Sequence, residues 1–201
     1  MIIGGFTKLS TIDWPGKLTA VVFTRGCNFR CPWCHNKSLV WPELYGPEVP
    51  EAEIIAYLEK RRNYLDSVVV TGGEPTVQAD LPGFLRKIKD IGLSVKLDTN
   101  GSHPEVLERL IKGNLVDALA LDVKGPPEKY PEVTGVSVDT EAVWQSFRLA
   151  AASGLPVWFR TTLIPELDES DIEEIKRTVE QLKSNTAVHV FQEYRENREE
   201  S

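Results

Sequence analysis

From residue 18 onward the chain alternates short apolar runs rich in β-branched residues with longer stretches of helical period, and this alternation decides the fold class. Residues 18–24 (LTAVVFT) read as a first strand ending at Gly26, and further strands follow at 68–70, 93–97, 116–121, 156–163 and 186–191. Between them, Pro50-Glu51 opens a helix with Ile54, Ile55, Leu58 and Arg62 on one face, and helices are predicted over 80–91, 104–112, 140–152 and 168–183. Gly92, Gly113 and Gly154 stand where helices stop. Six strands joined through helices imply right-handed βαβ units in one parallel sheet. Six units are too few for a closed eight-stranded barrel. No linker or shift in composition marks a second domain, so residues 1–201 read as one. Within it, 1–16 form an N-terminal arm or hairpin signalled by Gly4, Gly5 and the Trp14-Pro15-Gly16 turn, and 193–201 form a polar tail.

The chemistry is concentrated just past the first strand. Cys27, Cys31 and Cys34 are the only cysteines of the chain and share one loop-sized window. Strand ends are where α/β sheets and barrels place their active groups, and soft thiolates this close together read as a metal site. Structural zinc takes four ligands, usually as two separated pairs. A [4Fe–4S] cubane serving electron transfer also takes four thiolates. Three thiolates leave one iron without a protein ligand, and an open coordination position is where a metal binds what it reacts with. A zinc knuckle closed by His35 is the bland alternative, but a neighbour of Cys34 is awkwardly placed to complete the same tetrahedron.

The other strand ends carry polar or glycine-rich residues that should converge on one mouth. Gly72-Gly73-Glu74 offers backbone freedom, amides and a carboxylate for a ligand, although Gly-Gly-Glu-Pro also makes an ordinary turn. Asp98-Thr99-Asn100-Gly101 reads equally well as a capped turn. Asp122 and Lys124, two apart, face the same side and when buried need each other or a zwitterionic ligand. Arg160 lies inside a strand, where a guanidinium belongs only if it points into a polar lumen or snorkels from an edge.

The Cys-x3-Cys-x2-Cys spacing, followed in order by Gly72-Gly73-Glu74, resembles the signature of the radical S-adenosylmethionine (radical SAM) enzymes. That resemblance implies an α/β fold of the partial (β/α)6, TIM-like barrel type. It also implies one [4Fe–4S] cluster on Cys27, Cys31 and Cys34, with SAM chelating the fourth iron and Gly72, Gly73 and Glu74 near the SAM amino group. Cys34-His35-Asn36, the LDTNG of 97–101, the LDVK of 121–124 and the WFRTT of 158–162 are similar to the glycyl-radical-enzyme activases. The opening segment GFTKLSTIDWPGKLTAVVFTRGCNFRCPWCHN is especially similar to their compact anaerobic ribonucleoside-triphosphate reductase activating subgroup.

The activase resemblance implies that Lys124 holds the SAM carboxylate, Asn36 lies beside SAM and the Trp33 main chain meets the adenine. Asp98, Thr99 and Asp122 would form a small monovalent-cation site, and Asn100 and Arg160 complete the expected cofactor-binding set. The implied partners are a glycyl radical enzyme and an external one-electron donor such as flavodoxin or ferredoxin. The segment after the last strand, FQEYRE, lacks the SAM-contacting histidine of pyruvate formate-lyase activase. Residues 126–135 are expected as a loop over the mouth. Radical SAM enzymes acting on a small or nucleotide-like substrate, resembling 7-carboxy-7-deazaguanine synthase, share the same cofactor residues and stay an alternative. A non-catalytic iron–sulfur or zinc module is the alternative from another class.

Composition narrows the setting. A net charge of −7 argues against broad nucleic-acid binding, which needs a basic face. The run Lys60-Arg61-Arg62 follows Glu51, Glu53 and Glu59 in one helix and reads as a solvated helix end. No apolar run spans a bilayer and the N-terminus lacks a signal-peptide pattern, so a cytoplasmic location without membrane contact is expected. Three clustered cysteines do not make a disulfide framework.

Overall fold

The computed structural model describes residues 1–182 and 184–194; the expected tail beyond 194, and Lys183 at the expected end of the last helix, lie outside the described residues. The elements in order are β1 (Ile3–Ser10), β2 (Thr19–Thr24), α1 (Lys37–Val40), α2 (Glu51–Arg61), β3 (Ser67–Gly72), α3 (Leu81–Ile91), β4 (Ser94–Thr99), α4 (Pro104–Lys112), β5 (Ala118–Asp122), α5 (Tyr130–Thr134), α6 (Thr140–Ala152), β6 (Val157–Leu163), α7 (Glu169–Glu180) and β7 (Ala187–Glu193). The strands form one sheet in sequence order, with β2 to β7 parallel. β1 pairs antiparallel with β2. Among the described residues β1 and β7 are the edges of this order, so the sheet is open.

Helix ends obey local rules. Asp168 and Asp171 make a reciprocal capping box at the start of α7, Asp139 accepts from the Ala142 amide at the start of α6, and α3 stops on Gly92 at φ 94°. Strand side chains alternate between two cores. Val68 and Val70 face the helices and join Ile54, Leu58, Leu85 and Ile88 in the main core, whereas Val69 faces inward with Val21, Ala118 and Trp14. Burying each large aliphatic side chain is worth roughly 1.5–3 kcal/mol relative to leaving it in water. The outer core therefore fixes which face of each strand is turned to the lumen.

Two expectations change. The N-terminal arm is a seventh strand rather than an appendage, and its turn carries Trp14 into the inner core at 6% exposure. Residues 126–135 are not a free loop over the mouth. They form a 3-10 turn followed by α5, with Tyr130, Val133 and Thr134 buried. The Trp33 indole donates to the Val133 carbonyl at 2.9 Å and the Arg30 amide to the Thr134 carbonyl at 2.8 Å, so this segment props the cysteine loop from below. Gly135, at φ 69°, lets it come that close, since a Cβ there would stand 2.5 Å from the Arg30 oxygen.

Candidate active site

At the C-terminal ends of the parallel strands lies a cavity of about 450 Å³, lined by residues of β2 through β7. One cavity touching six strands requires the sheet to curl. Cys27, Cys31, Cys34, Trp33, Asn36, Gly72, Gly73, Glu74, Asp98, Thr99, Asn100, Asp122, Lys124 and Arg160 all line it.

Backbone contacts build one wall. The Gly73 amide donates to the Thr24 carbonyl at 2.9 Å, the Glu74 amide to Gly26 at 2.8 Å, and the Gly26 amide to Leu39 at 2.7 Å. The end of β3 is thereby laid against the start of the cysteine loop. A Cβ on Gly73 would fall 2.1 Å from the Gly26 oxygen, and one on Gly72, whose φ is 114°, would fall 2.5 Å from the Thr24 backbone. The two glycines serve chain-to-chain approach, and the Gly73 and Glu74 amides are taken by the protein rather than offered to a ligand. Glu74 is buried, its carboxylate accepting from the Thr76 amide (3.0 Å) and hydroxyl (2.5 Å), the Thr99 hydroxyl (2.6 Å) and the Asn100 amide (2.7 Å). Burial pushes this carboxyl up against hydrogen bonds that favour the anion. Glu74 therefore ties β3 to β4 beneath the cavity.

The cysteine loop closes on the same framework. Phe29 is buried among the thiols, and its amide donates to the Cys27 sulfur at 3.3 Å. Burial and the Glu74 carboxylate push the Cys27 thiol up to about 12, and burial raises Cys31 as well. Metal ligation would displace those protons. Among the described residues no group of three or more His, Cys, Asp or Glu side chains stands in an arrangement that holds a metal ion, and the three thiols line one cavity. Their donor chemistry fits a soft, thiolate-preferring metal.

The opposite wall is a ladder of charges across β4, β5 and β6. Lys96 Nζ meets Asp98 Oδ1 at 2.6 Å, and Arg160 Nη1 meets Asp98 Oδ2 at 2.7 Å. Arg160 also reaches Asp122 Oδ1 through Nη2 at 2.8 Å and Nε at 3.0 Å, while Lys124 Nζ meets Asp122 Oδ2 at 2.9 Å. Arg160 points into the polar lumen, and Asp122 and Lys124 have found each other. Burial alone would raise the Asp122 carboxyl, yet Arg160 and Lys124 hold it well below the usual carboxylate range. Lys124 is held above the ordinary ammonium value, because Asp122 and Cys31 outweigh its burial. Its Nζ sits 4.8 Å from the Trp33 ring centroid, a cation–π contact that joins the ladder to the cysteine loop. Three cations against two carboxylates leave one positive charge.

Several contributors were not anticipated. Asn28 links the walls, donating to the Ser102 hydroxyl at 2.8 Å and accepting from the Asn100 side chain at 2.9 Å. Asp13, Thr162 and Gln192 also line the cavity, so even the last strand faces it with a polar residue. Period-two counting forward from Arg160, and across to the paired position of β7, would have found Thr162 and Gln192. Lys96 gave a readable signal too, being a lysine inside SVKLDT two residues before Asp98.

The curled parallel sheet that carries this site has known counterparts. The sequence profile of the Radical SAM superfamily matches residues 21–179. The chain belongs to the radical SAM superfamily. A Methanocaldococcus jannaschii protein named a "putative glycyl-radical enzyme activating enzyme" is 40% identical over 185 residues, covering 89% of this chain and 75% of that one. The pyruvate formate-lyase 1-activating enzyme of Escherichia coli is 27% identical over 178 residues, covering 84% and 70%. Among solved structures, Streptococcus suis SuiB bound to S-adenosylmethionine superposes with a TM-score of 0.70 at 18% identity. That match spans 89% of this chain but 41% of SuiB, and the likeness is one of fold. The relatives bear out the resemblance to the activases, and the structure bears out the open, TIM-like α/β class. This radical SAM enzyme has no described helix long and apolar enough to cross a membrane.

Proposed function

We propose that this radical SAM enzyme installs a glycyl radical on a partner enzyme, using one [4Fe–4S] cluster held by Cys27, Cys31 and Cys34 and one SAM. The observation that carries the reading is the cavity itself, where three thiols face Lys124 and Arg160, each anchored on a carboxylate of the ladder. A soft metal and a carboxylate-bearing ligand suit the two walls respectively. When bound, the cluster and SAM supply reductive cleavage of the sulfonium to methionine and a 5′-deoxyadenosyl radical.

The chain's own residues bind, orient and shield. Lys124, partly open to the cavity, receives the SAM carboxylate, with Asp122 and Trp33 fixing its ammonium. Phe29 and Trp33 exclude water from the thiols. Asn36, whose side chain reaches the Gly72 carbonyl at 3.5 Å, and Asn100 border the ligand. Glu74 acts through the strand ends it holds, as a positioning residue.

The relatives' names support the choice of target, and the unpaired edges β1 and β7 leave the lumen open on one side for an inserted protein loop. A flavodoxin- or ferredoxin-class donor would supply the electron, in a reducing cytoplasm. The test is anaerobic reconstitution with iron and sulfide, reduction by dithionite, and assay for 5′-deoxyadenosine. An intact cluster without that product overturns the cofactor reading. Product formation without a glycyl-radical EPR signal on any co-encoded glycyl radical enzyme overturns the target and favours a small-molecule substrate.

A further inference from the structure

The charge ladder already gives every acidic oxygen of Asp98 and Asp122 a cationic partner. Asp98 gives Oδ1 to Lys96 and Oδ2 to Arg160; Asp122 gives Oδ1 to Arg160 and Oδ2 to Lys124. The Thr99 hydroxyl is turned the other way, donating to Glu74 at 2.6 Å and accepting from the Gly101 amide at 3.1 Å. All three side chains expected to ligate a monovalent cation are thus committed within the protein. A free cation would also have to approach two carboxylates that three fixed cations already contact, in a setting where burial weakens screening.

Lys96 makes the difference. It stands two residues before Asp98 on the same face of β4, one step deeper in the lumen, 4% exposed, with its ammonium 5.8 Å from the Trp158 ring centroid. Without it, Asp98 and Asp122 would balance Arg160 and Lys124, and Asp98 Oδ1 would be a buried anionic oxygen open to a small cation. An ammonium on a fixed stem is always present at that point, whereas a dissolved ion must be recruited.

We propose that Lys96 is a built-in counter-cation for the Asp98–Asp122 pair, so that this site takes its carboxylate-bearing ligand without a dissociable monovalent cation. Lys96 is a positioning residue: it touches Asp98, and Asp98 holds Arg160. The inference rests on the SAM reading of the cavity.

The experiment titrates SAM into cluster-reconstituted enzyme by calorimetry at constant ionic strength in potassium, sodium or choline chloride. The wild-type Kd should agree within about twofold across the three salts, choline being too bulky to stand in the ladder. Lys96→Met, which keeps the stem and removes the charge, should bind about tenfold more weakly in choline and recover in potassium, sodium or ammonium. A wild-type Kd that tightens about fivefold or more on exchanging choline for potassium or sodium overturns the proposal, whether or not the variant folds. A folded Lys96→Met enzyme indifferent to the cation overturns it as well, because a purely structural lysine would leave salt identity without effect. Thermal melts of the same wild-type protein without SAM give a second reading. Equal midpoints in the three salts support the built-in cation, and a midpoint raised by potassium or sodium overturns it. Failure of SAM to bind in every salt would overturn the cofactor reading, and the melts would still decide whether the ladder takes a cation.

Discussion

The two walls of the cavity are built by different physics. The thiol wall is set by main chain: amides of Gly26, Gly73 and Glu74 bond neighbouring carbonyls, and three close approaches admit no side chain at Gly72, Gly73 or Gly135. The ladder wall is set by side chains, with Lys96, Asp98, Arg160, Asp122 and Lys124 holding one another across β4, β5 and β6. A backbone wall is rigid and fails abruptly when its geometry is violated, because packed cores relax only partly. A charged wall yields gradually and responds to pH and ions. Reactive sulfur atoms that must share one metal belong on the first kind of wall, and recognition of a charged ligand belongs on the second.

The sharpest separation comes from the thiols themselves. Cys31→Ser should lower SAM cleavage at least about a thousandfold and abolish the visible absorbance of the reconstituted cluster, since a lost ligand is not replaced by its neighbours. The far-ultraviolet circular dichroism and melting midpoint of the cluster-free protein should hardly move. A variant that unfolds instead would mean that this wall depends on its sulfur atoms as well as its backbone.

Next in size is Gly73→Ala. The added methyl must displace the Gly26 carbonyl from 2.1 Å, so the backbone has to shift, at a cost of about 3–5 kcal/mol in urea unfolding. Gly83, with open space around it, serves as the control whose alanine variant should not destabilise by this mechanism. Equal effects at both sites would remove the claim that chain approach, rather than glycine's flexibility, fixes the thiol wall.

How legible each wall was follows from the same contrast. Motif spacing identifies the thiol wall because backbone contacts demand particular residues at particular positions: Cys27, Cys31, Cys34, Gly72 and Gly73 have few substitutes. Their purpose was less legible, since only coordinates reveal that the Gly73 amide is spent on Thr24 and that Glu74 faces Thr76, Thr99 and Asn100. The parallel sheet was readable from alternation, but β1 was not, because a Gly-Gly segment of modest hydrophobicity gains its strand from pairing with β2. On the ladder wall, Asp122 and Lys124 stand out as charges at a strand end and Arg160 as a guanidinium inside a strand. Lys96 shares a strand face with Asp98, two residues on, and that pair is visible in SVKLDT; what only the structure shows is that Arg160, two strands away, reaches the other oxygen of Asp98. Residues 126–135 differ for a related reason: prolines and a terminal glycine suggest a loop, whereas Tyr130 is buried in the main core and Val133 and Thr134 bond the cysteine loop through their carbonyls.

Acid should test the ladder more than the thiol wall. Asp122 has its folded value depressed by Arg160 and Lys124, so its contribution is fully present above the unfolded carboxylate value of about 4 and is lost as pH falls below it. Unfolding free energy should therefore drop by about 2–3 kcal/mol more on going from about pH 5 to 2 in the wild type than in Asp122→Asn, which has no carboxyl to protonate. The variant starts from a lower plateau at neutral pH, because Arg160 and Lys124 lose part of their compensation. Parallel acid profiles for the two proteins would mean that the ladder's charges are already matched by solvent and that the wall is not electrostatic in the sense argued.

The smallest expected effect asks whether the walls are independent. Asn28, on the cysteine loop, is exposed yet bonded both to Ser102 and to Asn100, whose amide is held by Glu74. Asn28→Ala should cost only about 0.5–1.5 kcal/mol in stability, the ordinary net worth of such hydrogen bonds. Its informative partner is Asn100→Ala, because both substitutions break the same link. If the link acts as a unit, the double variant should be less destabilised than the two single losses added, by at least about 0.5 kcal/mol. Strict additivity would mean that the loop and the β4 end are positioned separately, each by its own wall. Coupling would instead make Asn28 the point at which a change on the ligand-recognising side reaches the residues beside Cys27.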